Sequence, residues 1–154
     1  MRDKIVVKVL PHVMRSTNEF NIPPGETHGY EILYFGVNLI LMYDYRLSFD
    51  IEVKTSDYGD KIDVFIISRS DVSVWKNNNS DDSRSPQGIK MYYSNNGQKI
   101  NNVFKPSVSN SYAFILSNRG FPDNAKKFKT KRVDVVLTHS WEQEIKESQL
   151  KNKL

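Results

Sequence analysis

The chain has 154 residues, 38% hydrophobic and 12% aromatic, enough to bury one domain-sized core and too apolar for a disordered chain. It has no cysteine, which excludes disulfides and thiolate metal sites and suits a reducing compartment. The net charge of +4 is uneven: 8 of the 22 basic and 4 of the 18 acidic residues fall in 126–154, leaving 14 of each before them.

Met1-Arg2-Asp3-Lys4 leads directly into an alternating run at Ile5–Leu10 that contains Lys8. A secretory signal needs an uninterrupted apolar h-region, so the expected location is cytoplasmic. No run approaches the roughly 18 apolar residues of a membrane-spanning helix. Period-two alternation, the signature of a strand with one wet face, continues through His28–Phe35 and Leu39–Tyr43. It is clearest at Leu47–Lys54, where Leu47, Phe49, Ile51 and Val53 share one face and Ser48, Asp50, Glu52 and Lys54 the other.

Further strand-like runs lie at Ile62–Ser68, Val72–Lys76, Lys90–Tyr93, Ile100–Phe104, Tyr112–Leu116 and Val133–Thr138, so about eight to ten strands are expected. Trp75 is expected to close a strand and pack inward. Tyr92 and Tyr93 should face opposite sides of theirs. Turn signals separate the runs at Pro23-Pro24-Gly25, Tyr58-Gly59-Asp60 and Arg119-Gly120-Phe121-Pro122. Asn96-Gly97 predicts a hairpin. The polar stretch Lys76–Gly88 cannot repay its ordering entropy by burial and reads as a long loop.

The C-terminus departs from this pattern. Ser140-Trp141-Glu142-Gln143 fits a capping box, and Glu142/Lys146 and Glu147/Lys151 stand four residues apart. A helix beginning at Trp141 is therefore expected, with Trp141 stapling it to the body. Without crossover helices the strands must pair antiparallel. The resulting expectation is an all-β, two-sheet antiparallel β-sandwich, GOLD-like or jelly-roll-like, over 1–139, with a short C-terminal helix in a tail at 140–154.

Read in order, Phe20-Asn21-Ile22-Pro23-Pro24-Gly25, Leu39–Tyr43, Asp63-Val64-Phe65-Ile66-Ile67, Tyr112–Asn118 and the closing run Val133–Leu137 resemble the GOLD domain, a β-sandwich module of cargo receptors and lipid-transfer proteins. The resemblance covers roughly residues 20–138 and is one of pattern. It implies protein–protein contacts, often near membranes, and no catalytic residues. The paired cysteines of the cargo receptors have no counterpart here.

Motifs for chemistry are sparse. His12, His28 and His139 lack the local spacing of metal ligands. Asp57, Asp60 and Asp63 around Gly59 are oxygen donors, but their spacing is not that of an EF-hand, and a polar turn explains them. No nucleophile elbow, Walker loop, dinucleotide fingerprint or zincin helix occurs. Neither enzymatic activity nor a cofactor or metal is expected.

The most distinctive segment is Lys126-Lys127-Phe128-Lys129-Thr130-Lys131-Arg132, five cations in seven residues around one aromatic. Such a cluster attracts an anionic membrane surface or another acidic surface, and Phe128 could insert at an interface. Its alternative reading is protection of a sheet edge, where lysines block unwanted pairing. Sequence-specific nucleic-acid binding is not expected, because the rest of the chain is charge-balanced and no binding module is present. The expected function is a protein-interaction or adaptor module, membrane-proximal through Lys126, Lys127, Phe128, Lys129, Lys131 and Arg132. The alternatives are a carbohydrate- or ligand-binding sandwich and a self-assembling subunit that forms homo-oligomers.

Overall fold

A computed structural model of the chain describes residues 7–25, 29–54, 60–77, 88–119 and 129–146. The strands are β1 (Val7–Ile22), β2 (Tyr30–Val37), β3 (Tyr43–Val53), β4 (Ile62–Ser68), β5 (Tyr93–Gly97), β6 (Lys99–Phe104), β7 (Asn110–Ser117) and β8 (Lys131–Lys146), with one short helix, α1 (Val72–Lys76). Two four-stranded sheets form, in the orders β1-β8-β3-β6 and β2-β7-β4-β5. Every pairing is antiparallel.

The pairings nest: β1 with β8, β2 with β7, β3 with β6, β4 with β5. The chain is thus one long antiparallel ribbon folded back at β4–β5 and rolled up, which is the topology of a jelly roll. The expected all-β two-sheet sandwich is what forms.

The alternation in β3 explains the central core. Leu47, Phe49, Ile51 and Val53 are buried, while Ser48, Asp50 and Glu52 turn outward. They meet Val64, Ile66, Phe114 and Leu116 of the opposite sheet, together with Ile100, Val133, Val135 and Leu137. Looser alternation in β4 has a physical cause: all seven of its residues are buried, because both faces of its sheet are covered. Phe65 and Ile67 point away from the central core into a second cluster with Val72, Trp75, Ala113 and Ile115.

Trp75 therefore packs inward, but from α1 and not from a strand. Val72 and Trp75 are the buried residues of this single turn; three residues apart, they lie on one helical face. The run Val72–Lys76 alternates apolar and polar residues, yet its only coverable surface lies on top of a sheet. Docking decides its conformation where the local pattern is ambiguous.

Three other expectations change. Leu39–Tyr43 is not a strand: residues 39–42 form the turn between β2 and β3. Asn96-Gly97 does not close a hairpin, because β5 and β6 belong to different sheets and the chain crosses between them at Gln98. Tyr92 precedes β5, its N–H bonded to the Ile66 carbonyl at 2.9 Å; that bend lets Tyr92 and Tyr93 both pack on the central core.

The helix expected from Trp141 is also replaced, since β8 continues as strand to Lys146. Its register with β1 is unbroken from Ile22↔Lys131 to Val7↔Lys146. Pairing along a 16-residue partner outweighs a capping box worth about 1 kcal/mol. Trp141 is a staple within the sheet: its ring stacks on His12 at 5.3 Å and on Tyr45 at 6.2 Å. Residues 147–154 lie outside the described residues.

Candidate functional site

The rolled ribbon has two ends, separated by the length of β3, whose 11 residues span roughly 35 Å. One end carries the last residues of β1, β3 and β7. The described part of the basic segment lies there and is tied to its neighbours. Lys129 Nζ pairs with Asp60 at 2.9 Å, Lys131 Nζ donates to the Lys61 carbonyl at 2.6 Å, and Arg132 Nε lies 3.4 Å from Glu19 Oε1. Burial lowers the Lys131 pKa, opposed by the charges of Asp60 and Asp63. Lys126, Lys127 and Phe128 lie outside the described residues.

Edge protection does not explain Lys131 and Arg132, because β8 is an inner strand flanked by β1 and β3. Lys131 instead ties β8 to the residue before β4, and Arg132 ties it to β1. Asn118 does the same from the core. It is buried, and its Nδ2 donates to the carbonyls of Ile22 and Lys129, each at 2.8 Å. Nearby, Gly29 packs so tightly on Gly25 that a Cβ would fall 2.2 Å from the Gly25 carbonyl oxygen, so no larger residue fits. Of the acidic trio, Asp60 pairs with Lys129 and Asp63 accepts from Asn96 Nδ2 at 2.6 Å; Asp57 lies outside the described residues, as does His28. The other two histidines stand apart from these acids: His12 stacks on Trp141, and His139 meets the Tyr45 hydroxyl through Nδ1 inside the aromatic core.

The opposite end presents a different chemistry. Between β2 and β3 the chain reads Asn38-Leu39-Ile40-Leu41-Met42, and Ile40 and Leu41 are 77% and 58% exposed. Neither belongs to the core, yet the loop is fixed. Asn38 accepts three backbone N–H groups: its Oδ1 from Ile40 at 3.0 Å, its carbonyl from Leu41 at 3.2 Å and from Met42 at 2.8 Å. The fourth, on Leu39, donates to Ser109 Oγ at 2.8 Å. Asp44, at φ 52°, then turns the chain into β3 in the left-handed region that Asp tolerates. There the pairing with β8 shifts between Tyr43 and Arg46, as a bulge does.

Beside this tip is an open depression of about 560 Å³ whose lining includes Val37, Ile40 and Met42 with Asn38, Ser109, Asn110 and Ser111. Val108 on the adjoining loop and Tyr43 are also exposed. Sequence reading missed this surface by assigning Leu39–Tyr43 to a strand. A four-residue apolar run preceded by Asn, with no polar alternation, is the signal that could have marked an exposed turn.

On the outer face of the second sheet, Arg119 closes the helix cluster. It is 6% exposed, donates from its two terminal nitrogens to the carbonyls of Trp75 and Lys76 at 3.0 Å each, and lies 4.1 Å over the Trp75 ring. A guanidinium at these positions satisfies helix-end carbonyls and meets the negative end of the dipole.

Among the described residues, no helix is long and apolar enough to cross a membrane, and no three metal-binding side chains cluster. No family model matches the sequence, and a search of curated proteins finds no match.

Proposed function

We propose that this protein is a non-catalytic, GOLD-like interaction module that engages a protein partner through the tip of the β2–β3 loop. One observation carries the reading. Two large aliphatic side chains, Ile40 and Leu41, stand in solvent on a loop whose four successive amides are already hydrogen-bonded. A pre-ordered apolar projection loses little entropy on docking. Burying each of the two side chains yields about 1.5–3 kcal/mol, and neither contributes that energy to this fold. The depression beside it adds Ser and Asn groups that can orient a partner.

The GOLD-like assignment rests on the Pro-Pro-Gly segment after β1 and on Asn118 following β7; the antiparallel sandwich is compatible with it and with other jelly-roll modules alike. Cytoplasmic residence belongs to the same proposal, supported by the cysteine-free composition. So does acidic-surface contact by Lys126, Lys127, Phe128, Lys129, Lys131 and Arg132, of which Lys129, Lys131 and Arg132 lie at the end of the sandwich remote from the tip. The two contacts are therefore separable by mutation.

Immobilised wild-type protein, an I40D/L41D variant and a variant with Lys126, Lys127, Lys129 and Lys131 changed to Gln should be compared for captured proteins. The same three should be tested for flotation with neutral and anionic vesicles. The proposal expects a partner retained by wild type and by the lysine variant and lost by I40D/L41D. An identical captured set from all three would refute the tip. Vesicle binding abolished by I40D/L41D would make the tip a lipid wedge instead.

A further inference from the structure

A second surface follows from strand order. β1 is the outer strand of its sheet, and among the described residues nothing is hydrogen-bonded along its free edge. It runs 16 residues and exposes Val13 at 67% and Met14 at 61%. Natural proteins shorten, charge or cover such edges because their free N–H and C=O groups template pairing with another chain.

Proline, which lacks the N–H, limits where pairing can occur. Pro11 lies within β1, where it offers no N–H, and Pro23 follows the last residue of the strand. The window between them is residues 12–22, with Thr17 at its midpoint. An antiparallel copy of this window centred on Thr17 sets His12 opposite Ile22, Val13 opposite Asn21, Met14 opposite Phe20, Arg15 opposite Glu19, and Ser16 opposite Asn18. Thr17 meets its own copy. Both prolines then fall just outside the ladder, opposite each other.

Charge selects the same register. Two-fold symmetry makes the Arg15–Glu19 pair occur twice. Moving the centre to residue 15 or 19 opposes Arg15 or Glu19 to itself and brings a proline opposite the other. Moving it to 16 or 18 opposes one charged residue to Thr17 and carries a proline into the ladder. Arg15 has no ion partner among the described residues. Glu19, more than half exposed beside Arg132, keeps an open side for it. Thr–Thr and opposite-charge pairs are among the favourable cross-strand combinations, and a methionine sulfur against an aromatic ring is another favourable contact.

We propose that two copies of this chain associate through β1, antiparallel and centred on Thr17, making one eight-stranded sheet in the order β6-β3-β8-β1-β1-β8-β3-β6. The partner is a second copy because the window complements itself in both charge and proline spacing. This surface is independent of the β2–β3 tip.

Sedimentation velocity over a concentration series tests it with wild type, R15E, E19R and R15E/E19R, each checked for fold by circular dichroism. Either single reversal should weaken the dimer by about tenfold or more, because both symmetry-related pairs become like-charged, and the double reversal should restore it. The chain has no cysteine, so T17C under mild oxidation should give a disulfide-linked dimer, since directly opposed strand residues lie within bridging distance. V13C, opposite Asn21, should not. Monomer at every concentration, a dimer indifferent to both single reversals, one that the double reversal fails to rescue, or equal cross-linking at 13 and 17 overturns the proposal.

Discussion

Replacing Arg119 by Ala removes a side chain that joins α1 to the outer face of its sheet. Two hydrogen bonds from a charged donor, each at 3.0 Å, contribute about 1.5–3 kcal/mol apiece. The stack on Trp75 at 4.1 Å adds about 1 kcal/mol. Water reaching the freed carbonyls at the helix end recovers part of this, so the expected loss is about 3 kcal/mol. With a urea m-value near 2 kcal/mol/M, the unfolding midpoint falls by about 1.5 M. The assay is equilibrium unfolding followed by fluorescence in two single-tryptophan backgrounds, W141F reporting on Trp75 and W75F on Trp141. Arg119→Lys should lie between Arg and Ala, because an ammonium can reach a carbonyl but lacks the planar fork. A loss below about 1 kcal/mol, close to the range of ordinary surface substitutions, would refute the assignment of Arg119 as the clamp on α1.

Asn118→Asp should cost more than Asn118→Ala, about 3 against 2 kcal/mol by urea unfolding, because it sets a carboxylate against one buried and one part-buried carbonyl; equal effects would remove Asn118 from its bridging role. Stability should fall at both ends of the pH range. Burial holds the His139 pKa below its ordinary 6.5, so as pH drops through 6.5 the unfolded chain takes up a proton first and stability declines down to the folded value. Burial raises the Tyr45 pKa above its ordinary 10, so above pH 10 the unfolded chain ionises first and stability declines again. Unfolding measured from pH 5 to 11 checks both limbs, and His139→Gln should flatten the acid one. The I40D/L41D variant should keep its unfolding midpoint within about 0.5 kcal/mol of wild type; a larger loss would assign the tip to the fold and not to a partner.

The sandwich was legible because β3 alternates strictly and the runs of Ile, Val, Phe and Tyr recur between turn signals. Its errors share one cause: local pattern yields to what a segment is packed against. Val72–Lys76 becomes a helical turn because only a sheet surface is available to it. Residues 141–146 remain strand because β1 offers a partner along their whole length. Asn96-Gly97 has the chemistry of a hairpin, but hairpin and sheet-to-sheet corner differ only in where the next strand finds its neighbours. The proposed contact surface was less legible still. The basic cluster stands out in sequence, yet Lys129, Lys131 and Arg132 are engaged by Asp60, Lys61 and Glu19. Ile40 and Leu41 look like core residues and lie in solvent, because Asn38 and Ser109 hold the turn outward.

The pairing of β1 with β8 also orders events in time. About 100 residues of chain separate Ile22 from its partner Lys131, which at usual synthesis rates is roughly 5–20 s of translation. Throughout that interval the first ribbon of the roll has its neighbour-to-be still unmade, with Val9, Val13 and Met14 along it. A nascent chain in this state is a natural client for a chaperone. On crowded polysomes the strand-to-strand contact proposed for mature copies would be open to chains whose final strand has yet to emerge.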